Sequence, residues 1–319
     1  MDEVKKEPSR ASKMTVKDLY EQYMAAKKTE IRATTWDKSR RNLECYIIPE
    51  LGDVKLSNLS AVRLQEWKNE IGEKELSITT KRNIYKDLST MLNYAVRMEM
   101  LPKNPISGVG TFREPNFEKP AEKLHYYTPE QYRRFIAEAK KDADRRYYVF
   151  FSIAFYTGMR KGEINALRWT DIEGNIIHVR RSVTQKLKGD DVETPPKNKS
   201  SYRNLQMPKN MMDILDEHKS ILISNGIYRE ENRICGGERC LRDSSIEHKN
   251  TAYASAAGLP HIRIHDFRHT HASVLINEGI SIQEIARRLW HSKVEITWNT
   301  YAHLYPREEE RAVRILDRI

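Results

Sequence analysis

One interruption divides the hydrophobic pattern of this chain into two parts. The segment GVGTFREPNFEKPAEKLHY, from Gly108 to Tyr126, contains two prolines, two glycines and many charged residues, and it has neither a helical nor a strand period. This composition is typical of a linker between separately folding domains. With 319 residues, the chain is long enough for two domains. We therefore predict a flexible leader at 1–13, a first domain at 14–110, an interdomain linker at 111–124 and a second domain at 125–319.

The first domain has a helical period throughout. In TVKDLYEQYMAAKK, apolar residues from Leu19 to Met24 recur on one face of a helix. Similar patterns occupy TTWDKSRRNLECYIIPEL, which we expect to end near Pro49, SAVRLQEWKNEIGEK, and SITTKRNIYKDLSTMLNYAVRMEML, which ends before Pro102. Consecutive amphipathic helices over this length predict a helical bundle.

The second domain combines helices with short strands. Thr128 and Gln131 predict a capping box at the start of one helix, and the apolar segment RRYYVFFSIAFYT predicts a central buried helix that ends at Gly158. Two short alternating segments, NIIHVRRSVTQ and RNLQMP, predict strands on either side of a polar, turn-rich segment, KLKGDDVETPPKNKSSY. Further helices follow, and Ser281 with Glu284 predicts the start of one of them. The predicted class is mainly α, with a small sheet or hairpin in the second domain.

The charge balance favours a polyanionic partner. Lys and Arg number 55 against 45 Asp and Glu, for a net charge of +10, and nucleic acid is a frequent partner of such proteins. The chain has no apolar run of about 18 residues that would span a membrane and no secretory signal pattern. Three cysteines, Cys45, Cys235 and Cys240, argue against a disulfide scaffold. We expect a cytoplasmic protein.

Two arginines and two histidines form candidate anion or metal sites. Arg160, in YTGMRKGE, lies at a helix junction from which its guanidinium could reach a phosphate, and the alternative is a solvated surface arginine. In HDFRHTHAS, His265 and Arg268 share a helix face and could contact one anion. His265 and His269 have the spacing of a metal pair, but no acidic or cysteine ligand follows at a suitable distance. A zinc site at Cys235, Cys240 and His248 lacks a fourth ligand, so we expect ordinary thiols there.

The remaining candidates are a histidine, a tyrosine and two lysines. His291 follows a capped helix, and Tyr301 lies ten residues further on in NTYAHLYP. A tyrosine hydroxyl titrates near pH ~10, so it needs neighbouring charges to act as a nucleophile. Lys197 and Lys199 lie between the predicted strands, where a mobile hairpin could bring one ammonium to a leaving oxygen. The alternative is a solvated basic loop.

Taken in the order Arg, Lys, His-x-x-Arg, His, Tyr, these residues resemble the tyrosine recombinases of the phage integrase family, including integrases of phages and conjugative transposons. The segments YTGMRKGEINALRWTDI, HDFRHTHASVLINEGISIQEIARRLWHS and TWNTYAHL look like the signature segments of that family, and the resemblance covers the whole chain. It implies a helical, SAM-like core-binding domain followed by an α+β catalytic domain. It further implies a site-specific DNA recombinase that integrates or excises a mobile element through a 3′-phosphotyrosyl intermediate, with no cofactor and no metal.

The resemblance also implies a role for each candidate residue. Arg160 and Arg268 would bind the two non-bridging phosphate oxygens, Tyr301 would attack, and Lys197 would protonate the leaving 5′-oxygen, with Lys199 as the alternative. His265 would donate a hydrogen bond or transfer a proton near the nucleophile. His291 would hydrogen-bond the phosphate, and Glu163 would orient Arg160.

A choice between two tyrosines follows from the same resemblance. The family frame T-x-x-x-Y-x-H, here Thr297, Tyr301 and His303, selects Tyr301 over Tyr305. We expect Tyr305 to serve packing.

The partners implied are double-stranded DNA at attachment sites, a homotetramer on DNA, and accessory DNA-bending or directionality factors. The same resemblance implies that a bacterium or a phage encodes the protein and that it acts in the bacterial nucleoid. The basic stretches KSRR (38–41) and KRNIYK (81–86) are candidates for phosphate contacts, and the alternative is a solvated helix face.

Two features depart from the family pattern. Trp290 replaces the usual glycine before His291, and tryptophan takes a positive φ only at a cost. We therefore expect either a helical φ at this turn or a shifted His291. Many related integrases carry a further N-terminal domain for arm-type DNA sites, whereas here the charged leader precedes the first domain. The alternative functions are a type IB topoisomerase and a catalytically idle DNA-binding factor.

Overall fold

A computed structural model describes residues 13–114, 124–185, 191–194, 203–305, 313 and 316–317. The chain divides into two compact units, Met1–Pro120 and Ala121–Ile319. Most of the leader predicted at 1–13, and residues 115–123 of the predicted linker, lie outside the described residues. Within the described residues, no helix combines the length and the apolar character that are needed to cross a membrane.

The described part of the first unit is helical. Its helices are α1 (Val16–Lys27), α2 (Ala33–Tyr46), α3 (Ile48–Leu51), α4 (Ala61–Glu73) and α5 (Ile78–Arg97), with 3₁₀ turns at Leu56–Asn58 and Pro105–Gly108. Thr15, Ser60 and Ser77 start α1, α4 and α5, because each side-chain oxygen accepts a hydrogen bond from a backbone N–H in the first helical turn.

The predicted end of a helix near Pro49 was wrong. The chain breaks at Ile47, where φ is −117°, and Pro49 lies in the first turn of the short helix α3. Proline is tolerated at that position because the N–H that it lacks would have no helical partner.

A single apolar cluster joins the helices of the first unit. It contains Leu19, Leu43, Trp67 and Leu88, all with no solvent exposure. The indole N–H of Trp67 donates to the Tyr46 carbonyl at 2.9 Å, so this large side chain is buried with its one polar atom satisfied.

The described part of the second unit combines helices with two small sheets. Its helices are α6 (Pro129–Lys141), α7 (Arg145–Thr157), α8 (Lys161–Ala166), α9 (Lys209–Ser224), α10 (Asp243–Ala256), α11 (Asp266–Asn277), α12 (Ile282–Leu289) and α13 (Val294–Tyr301). The predicted capping box of α6 is confirmed, because the Thr128 and Gln131 side chains each accept a hydrogen bond from the other residue's backbone N–H. The Ser281 side chain accepts from the Glu284 N–H at the start of α12.

The strands form two antiparallel sheets. Strands β1 (Ile172–Glu173), β2 (Ile176–Val179) and β5 (Arg203–Gln206) form one sheet in the order β1-β2-β5, and β3 (Ser182–Thr184) pairs with β4 (Val192–Thr194) in the other. Strand β4 lies in the segment that was predicted to be turn-rich, so that prediction was wrong there. Polar residues such as Glu193 can occupy an exposed strand when the partner strand supplies the hydrogen bonds.

Helix α7 is the centre of the second unit. Nine of its thirteen residues are buried, and its aromatic side chains pack against α6, α10 and α11. A separate small cluster lies beside this core and contains Ala272, Ile276, Ile285, Leu289 and Tyr301. Helices α11, α12 and α13 meet in this cluster, so it determines where Tyr301 stands relative to α11.

Candidate active site

Arg268, near the beginning of α11, is a buried arginine that contacts the ends of α7 and α12. Arg268 is only 3% exposed, and its Nη1 donates to the Gly158 carbonyl at 2.7 Å while its Nη2 donates to the Leu289 carbonyl. Gly158 has φ +61°, and a Cβ there would lie 2.9 Å from Cδ2 of His271. Glycine is therefore required at this position both for its conformation and for its lack of a side chain.

A second arginine lies at the start of α8 and rests on a buried carboxylate. The Arg160 backbone N–H donates to Oε2 of Glu163 at 3.0 Å, and its Nη1 donates to Oε1 at 3.1 Å. Arg203 holds the same carboxylate from strand β5, with Nη2 2.6 Å from Oε2. The Arg160 side chain is 46% exposed, whereas that of Glu163 is 7% exposed. Arg160 is thus fixed at its base, and part of its guanidinium faces solvent.

The charge of Glu163 depends on this arrangement. Burial alone would raise its pKa, but the hydrogen bond and charge of Arg203, followed by the charge of Arg160, hold the pKa at about 2. Glu163 is therefore ionised at neutral pH. The carboxylate contacts both the backbone N–H and the guanidinium of Arg160, and the orienting role of Glu163 stays a prediction.

Tyr301 is the last residue of α13, and it is 1% exposed. Its hydroxyl lies 2.7 Å from Nδ1 of His269, and the two rings meet edge to face with centroids 5.6 Å apart. Burial raises the pKa of Tyr301 to about 12, and the charge of Arg268 opposes this rise. Arg268 therefore acts electrostatically on the phenol although it lies on a different helix.

His265 stands at the N-terminal end of α11, one turn before His269. The two imidazole rings are perpendicular, with centroids 5.4 Å apart. Partial burial of the His265 ring, followed by the charge of Arg268, lowers its pKa. Between the two histidines, it is His269 that is hydrogen-bonded to the tyrosine.

A left-handed turn at Trp290 carries the chain from α12 to His291. Trp290 has φ 57° and ψ 51°, so the first of the two expected alternatives, a helical φ, was wrong, and the other, a shifted His291, stays a prediction. The turn caps α12, because the His291 N–H donates to the Ala286 carbonyl at 3.0 Å and the Trp290 N–H donates to the Arg287 carbonyl at 3.1 Å. A left-handed conformation at a residue with a side chain costs about 1–2 kcal/mol.

Thr297 orients His291. Nδ1 of His291 lies 2.7 Å from the hydroxyl of Thr297, which is fully buried. Burial, followed by the charges of Arg268 and Arg160, lowers the pKa of His291 to about 4, so its imidazole is neutral at neutral pH. When the threonine hydroxyl donates to Nδ1, the proton of the imidazole resides on Nε2, which can then donate to an anion.

The other tyrosine of NTYAHLYP has a structural environment. The Tyr305 hydroxyl donates to the Ile280 carbonyl at 3.0 Å, and the ring packs against the small cluster that contains Tyr301. Tyr305 and Tyr301 thus have different hydrogen-bond partners, a backbone carbonyl for Tyr305 and a histidine for Tyr301.

Some predicted candidates cannot be placed, and others have no role in this geometry. Lys197 and Lys199 lie outside the described residues, as do the residues on either side of them, 195–202. Cys235 and Cys240 are buried free thiols, and within the described residues no group of three His, Cys, Asp or Glu side chains could hold a metal ion.

The basic stretches of the first unit lie on α2 and α5. Arg40 and Arg41 both form ion pairs with Asp37. Lys38 and Lys86 are exposed. Part of this positive charge is therefore balanced within the helix that carries it.

Three residues that form this geometry were not predicted from the sequence as parts of the site. His269 was considered only as half of a metal pair, Thr297 only as part of a motif, and Arg203 not at all. The alternation of buried and exposed residues in β5 was the available signal for Arg203, because it places this residue on the inward face with Leu205. The contact between His269 and Tyr301 had no signal in the sequence, since 32 residues separate them.

Comparison with known proteins identifies the family. Residues 125–308 match the phage integrase family, and residues 15–72 match the N-terminal SAM-like domain of phage integrases. The ICEBs1 integrase of Bacillus subtilis is 30% identical over 266 residues, which cover 80% of this chain and 69% of that protein. A XerC-like tyrosine recombinase of Caldanaerobacter subterraneus is 29% identical over 296 residues, which cover 84% of this chain and 73% of that protein.

Solved structures share the fold. The Tn1549 transposon integrase in complex with transposon right-end DNA superposes with a TM-score of 0.71 at 20% identity, covering 96% of this chain and 99% of that chain. A λ integrase dimer bound to a COC′ core site gives a TM-score of 0.66 at 17% identity, with 90% and 95% of the two chains covered. The family match extends over more than half of the chain, and the ICEBs1 integrase is aligned over more than two thirds of its length. The chain therefore belongs to the phage integrase family of tyrosine recombinases, enzymes that carry out site-specific recombination of DNA.

Proposed function

We propose that this recombinase cleaves and rejoins double-stranded DNA through a covalent bond between Tyr301 and a 3′-phosphate, and so integrates or excises a mobile element. The observation that carries the assignment is the position of the Tyr301 hydroxyl, which is buried against His269 within the electrostatic influence of Arg268. In this proposal residues 14–110 form the core-binding domain and residues 125–319 form the catalytic domain.

Two arginines would neutralise the scissile phosphate. A phosphodiester is already anionic and therefore repels a nucleophile. Attack is fast only when the site stabilises the charge of the phosphate and the further charge that develops in the transition state. Arg268 is held by two carbonyls and Arg160 by a buried carboxylate, so both guanidinium groups are fixed before DNA binds. Each would donate to one non-bridging oxygen, and His291 would donate from Nε2 to the same phosphate.

Tyr301 would attack in line as the 5′-oxygen leaves. The bond from the tyrosine oxygen to phosphorus forms, the bond from phosphorus to the 5′-oxygen breaks, and Lys197 supplies the proton that the 5′-oxygen takes, with Lys199 as the alternative donor. His265 would donate a hydrogen bond near the nucleophile or accept the proton that the phenol of Tyr301 loses. Rejoining is the reverse reaction with a 5′-hydroxyl of another strand, so the energy of the phosphodiester is kept in the phosphotyrosine.

The assembly proposed for strand exchange is a homotetramer on two DNA sites. The supporting observation is the fold, since a λ integrase tetramer bound to a Holliday junction superposes with a TM-score of 0.66. Accessory DNA-bending or directionality factors belong to the same proposal. Because the similar proteins include integrases of bacteria and mycobacteriophages, bacterial DNA in the nucleoid is the proposed substrate.

Covalent trapping tests the proposal. Nicked suicide duplexes that carry element-end sequences are mixed with wild type, Tyr301→Phe and Tyr305→Phe, and the products are separated on denaturing gels. We expect a protein–DNA adduct with wild type and with Tyr305→Phe but not with Tyr301→Phe. An adduct that disappears only in Tyr305→Phe would overturn the assignment of the nucleophile, and tight sequence-specific binding without any adduct would favour an idle DNA-binding factor.

A strand-exchange assay separates the recombinase from a topoisomerase. Two differently labelled duplexes carrying the attachment sequence should yield recombinant products with wild type. Relaxation of supercoils without recombinant products would favour the type IB topoisomerase.

A further inference from the structure

The hydrogen bond between Tyr301 and His269 has no function in the roles assigned so far. Nδ1 of His269 lies 2.7 Å from the tyrosine hydroxyl, the distance of a good hydrogen bond. Among the described residues, His269 is the hydrogen-bond partner of that hydroxyl. The attacking atom of the proposed reaction is therefore held by a side chain that can also gain a proton.

We propose that His269 is the catalytic base for Tyr301. As the bond from the tyrosine oxygen to phosphorus forms, the phenolic proton moves to Nδ1 of His269, and the bond from phosphorus to the 5′-oxygen breaks with a proton from the general acid. In the rejoining step the proton returns from the imidazolium to the departing tyrosine oxygen. This inference rests on the proposed function, because it requires Tyr301 to be the nucleophile.

The direction of the hydrogen bond follows from the protonation states. Burial, followed by the charge of His265, lowers the pKa of His269 to about 4, and burial raises that of Tyr301 to about 12. Both groups are thus neutral at neutral pH. The neutral imidazole offers a lone pair at Nδ1 when its proton is on Nε2, so the phenol donates and His269 accepts.

The same protonation states determine when the proton moves. A phenol with a pKa of about 12 does not transfer its proton to an imidazole with a pKa of about 4 before the reaction begins. Bond formation to phosphorus makes the phenolic oxygen far more acidic, and the negative phosphate makes the nearby imidazole more basic. Proton transfer therefore accompanies the attack, as general base catalysis requires.

His265 is less well placed for this task. It is on the same face of α11 but one turn nearer the helix start, and its ring contacts that of His269 edge to face. Its charge would disfavour an imidazolium at His269. The role of a proton carrier near the nucleophile, which the sequence analysis gave to His265, therefore passes to His269.

The protonation of His269 depends on charged and titratable groups of α11, of the segment before it and of α13. These groups are His265, Asp266, Arg268, Arg263 and Tyr301. Asp266 favours protonation of His269, whereas His265, Arg268 and Arg263 disfavour it. A phosphate bound by Arg268 would remove part of that opposition.

The experiment measures single-turnover formation of the covalent adduct on a nicked suicide duplex between pH 6 and 10. The variants are His269→Ala, which removes the imidazole, and His269→Asn, which places an amide near Nδ1 that can accept a hydrogen bond but no proton. His248→Asn is the matched control, since His248 is exposed on α10. Thermal melting and binding to the intact duplex show whether each variant folds.

We expect both His269 variants to bind DNA like wild type and to form the adduct about 10²–10⁴ times more slowly at neutral pH. The loss should shrink by about tenfold per pH unit, because hydroxide then ionises the phenol in place of the imidazole. His248→Asn should react at the wild-type rate. Reaction of His269→Ala or His269→Asn at the wild-type rate, or a loss that stays constant with pH, would overturn proton transfer to His269.

A second measurement changes the leaving group of the substrate, and its isotope effect is measured on the wild-type protein, so that part does not depend on how the variants fold. A duplex with sulfur in place of the bridging 5′-oxygen has a leaving group that needs no protonation. This substrate should restore Lys197→Ala but not His269→Asn, and its cleavage by wild type should be slower in deuterium oxide. Rescue of His269→Asn by sulfur, or no isotope effect in wild type, would refute the inference. An adduct in Tyr301→Phe would instead refute the proposed function.

Discussion

The buried carboxylate of Glu163 determines how firmly Arg160 is held, and Glu163→Gln removes its charge at nearly constant size. The pKa of Glu163 is about 2 in the folded protein, against an ordinary value of 4.5. At about 1.4 kcal/mol per pKa unit, the ionised carboxylate contributes about 3 kcal/mol to the free energy of unfolding. Because the folded pKa is depressed, this contribution is present above pH 4.5 and is lost as the pH falls toward 2.

The partner of Glu163 raises the cost of this substitution. Arg203 is 3% exposed, and its guanidinium would lose its carboxylate while remaining buried. Breaking one side of a buried ion pair typically costs about 3–5 kcal/mol. We therefore expect Glu163→Gln and Arg203→Met each to lower the free energy of unfolding by about 3 kcal/mol or more at pH 7, and the double variant to lose clearly less than the two together.

Urea unfolding of the full chain, followed by circular dichroism at pH 7 and pH 3, measures these losses. Glu284→Gln is the matched control, because its partner Arg287 is 73% exposed and such surface pairs contribute little to stability. Adduct formation should also slow in Glu163→Gln, since Arg160 loses its support. A Glu163→Gln protein as stable as wild type at pH 7, or additive losses in the double variant, would refute the reasoning.

Three further substitutions test other parts of the site. Thr297→Val removes the hydroxyl that sets the tautomer of His291. Adduct formation should slow by about tenfold or more, while the free energy of unfolding falls by only about 1 kcal/mol. Equal rates of adduct formation for the variant and wild type in a suicide-duplex assay would contradict this. Gly158→Ala adds a methyl group 2.9 Å from Cδ2 of His271 at a φ of +61°, and we expect a loss of about 2–4 kcal/mol in urea unfolding. Trp290→Gly relieves a left-handed φ but removes a half-buried indole, so stability measured by thermal melting should change by about 1 kcal/mol or less. A drop in adduct formation of more than a few-fold would show that the indole itself contributes to activity.

Local signals in the sequence predicted the elements that present the site. The glycine after an apolar helical segment marks the end of α7, and Gly158 indeed ends it in a left-handed conformation. The order of motif segments predicted the family, which the comparisons confirm. The assignment of catalytic roles to Arg160, Lys197, His265, Arg268, His291 and Tyr301 stays a prediction.

Contacts between distant elements were not predictable in the same way. Which histidine of α11 touches Tyr301 depends on the rotation of α11 and α13 about their axes, and the small cluster around Ile285 and Leu289 sets that rotation. The ion pair of Glu163 with Arg203 joins a helix to a strand 40 residues away. At Trp290 a local preference was clear, because tryptophan disfavours a positive φ. The capping hydrogen bonds of α12 nevertheless impose that conformation.

Burial, together with the charges of the site, explains why its histidines are neutral. Burial, followed by the charges of Arg268 and Arg160, lowers the pKa of His291 to about 4, and burial, followed by the charge of Arg160, lowers that of Arg268 to about 9. Arg268 nevertheless stays protonated at neutral pH, so it keeps its positive charge while the imidazoles remain free to donate or accept. A phosphodiester placed among them would offset the repulsion between the guanidinium groups and raise the pKa of each nearby imidazole. The substrate itself would thus make the neutral imidazole of His269 a stronger base, and the full catalytic power of the site would develop only when DNA is bound.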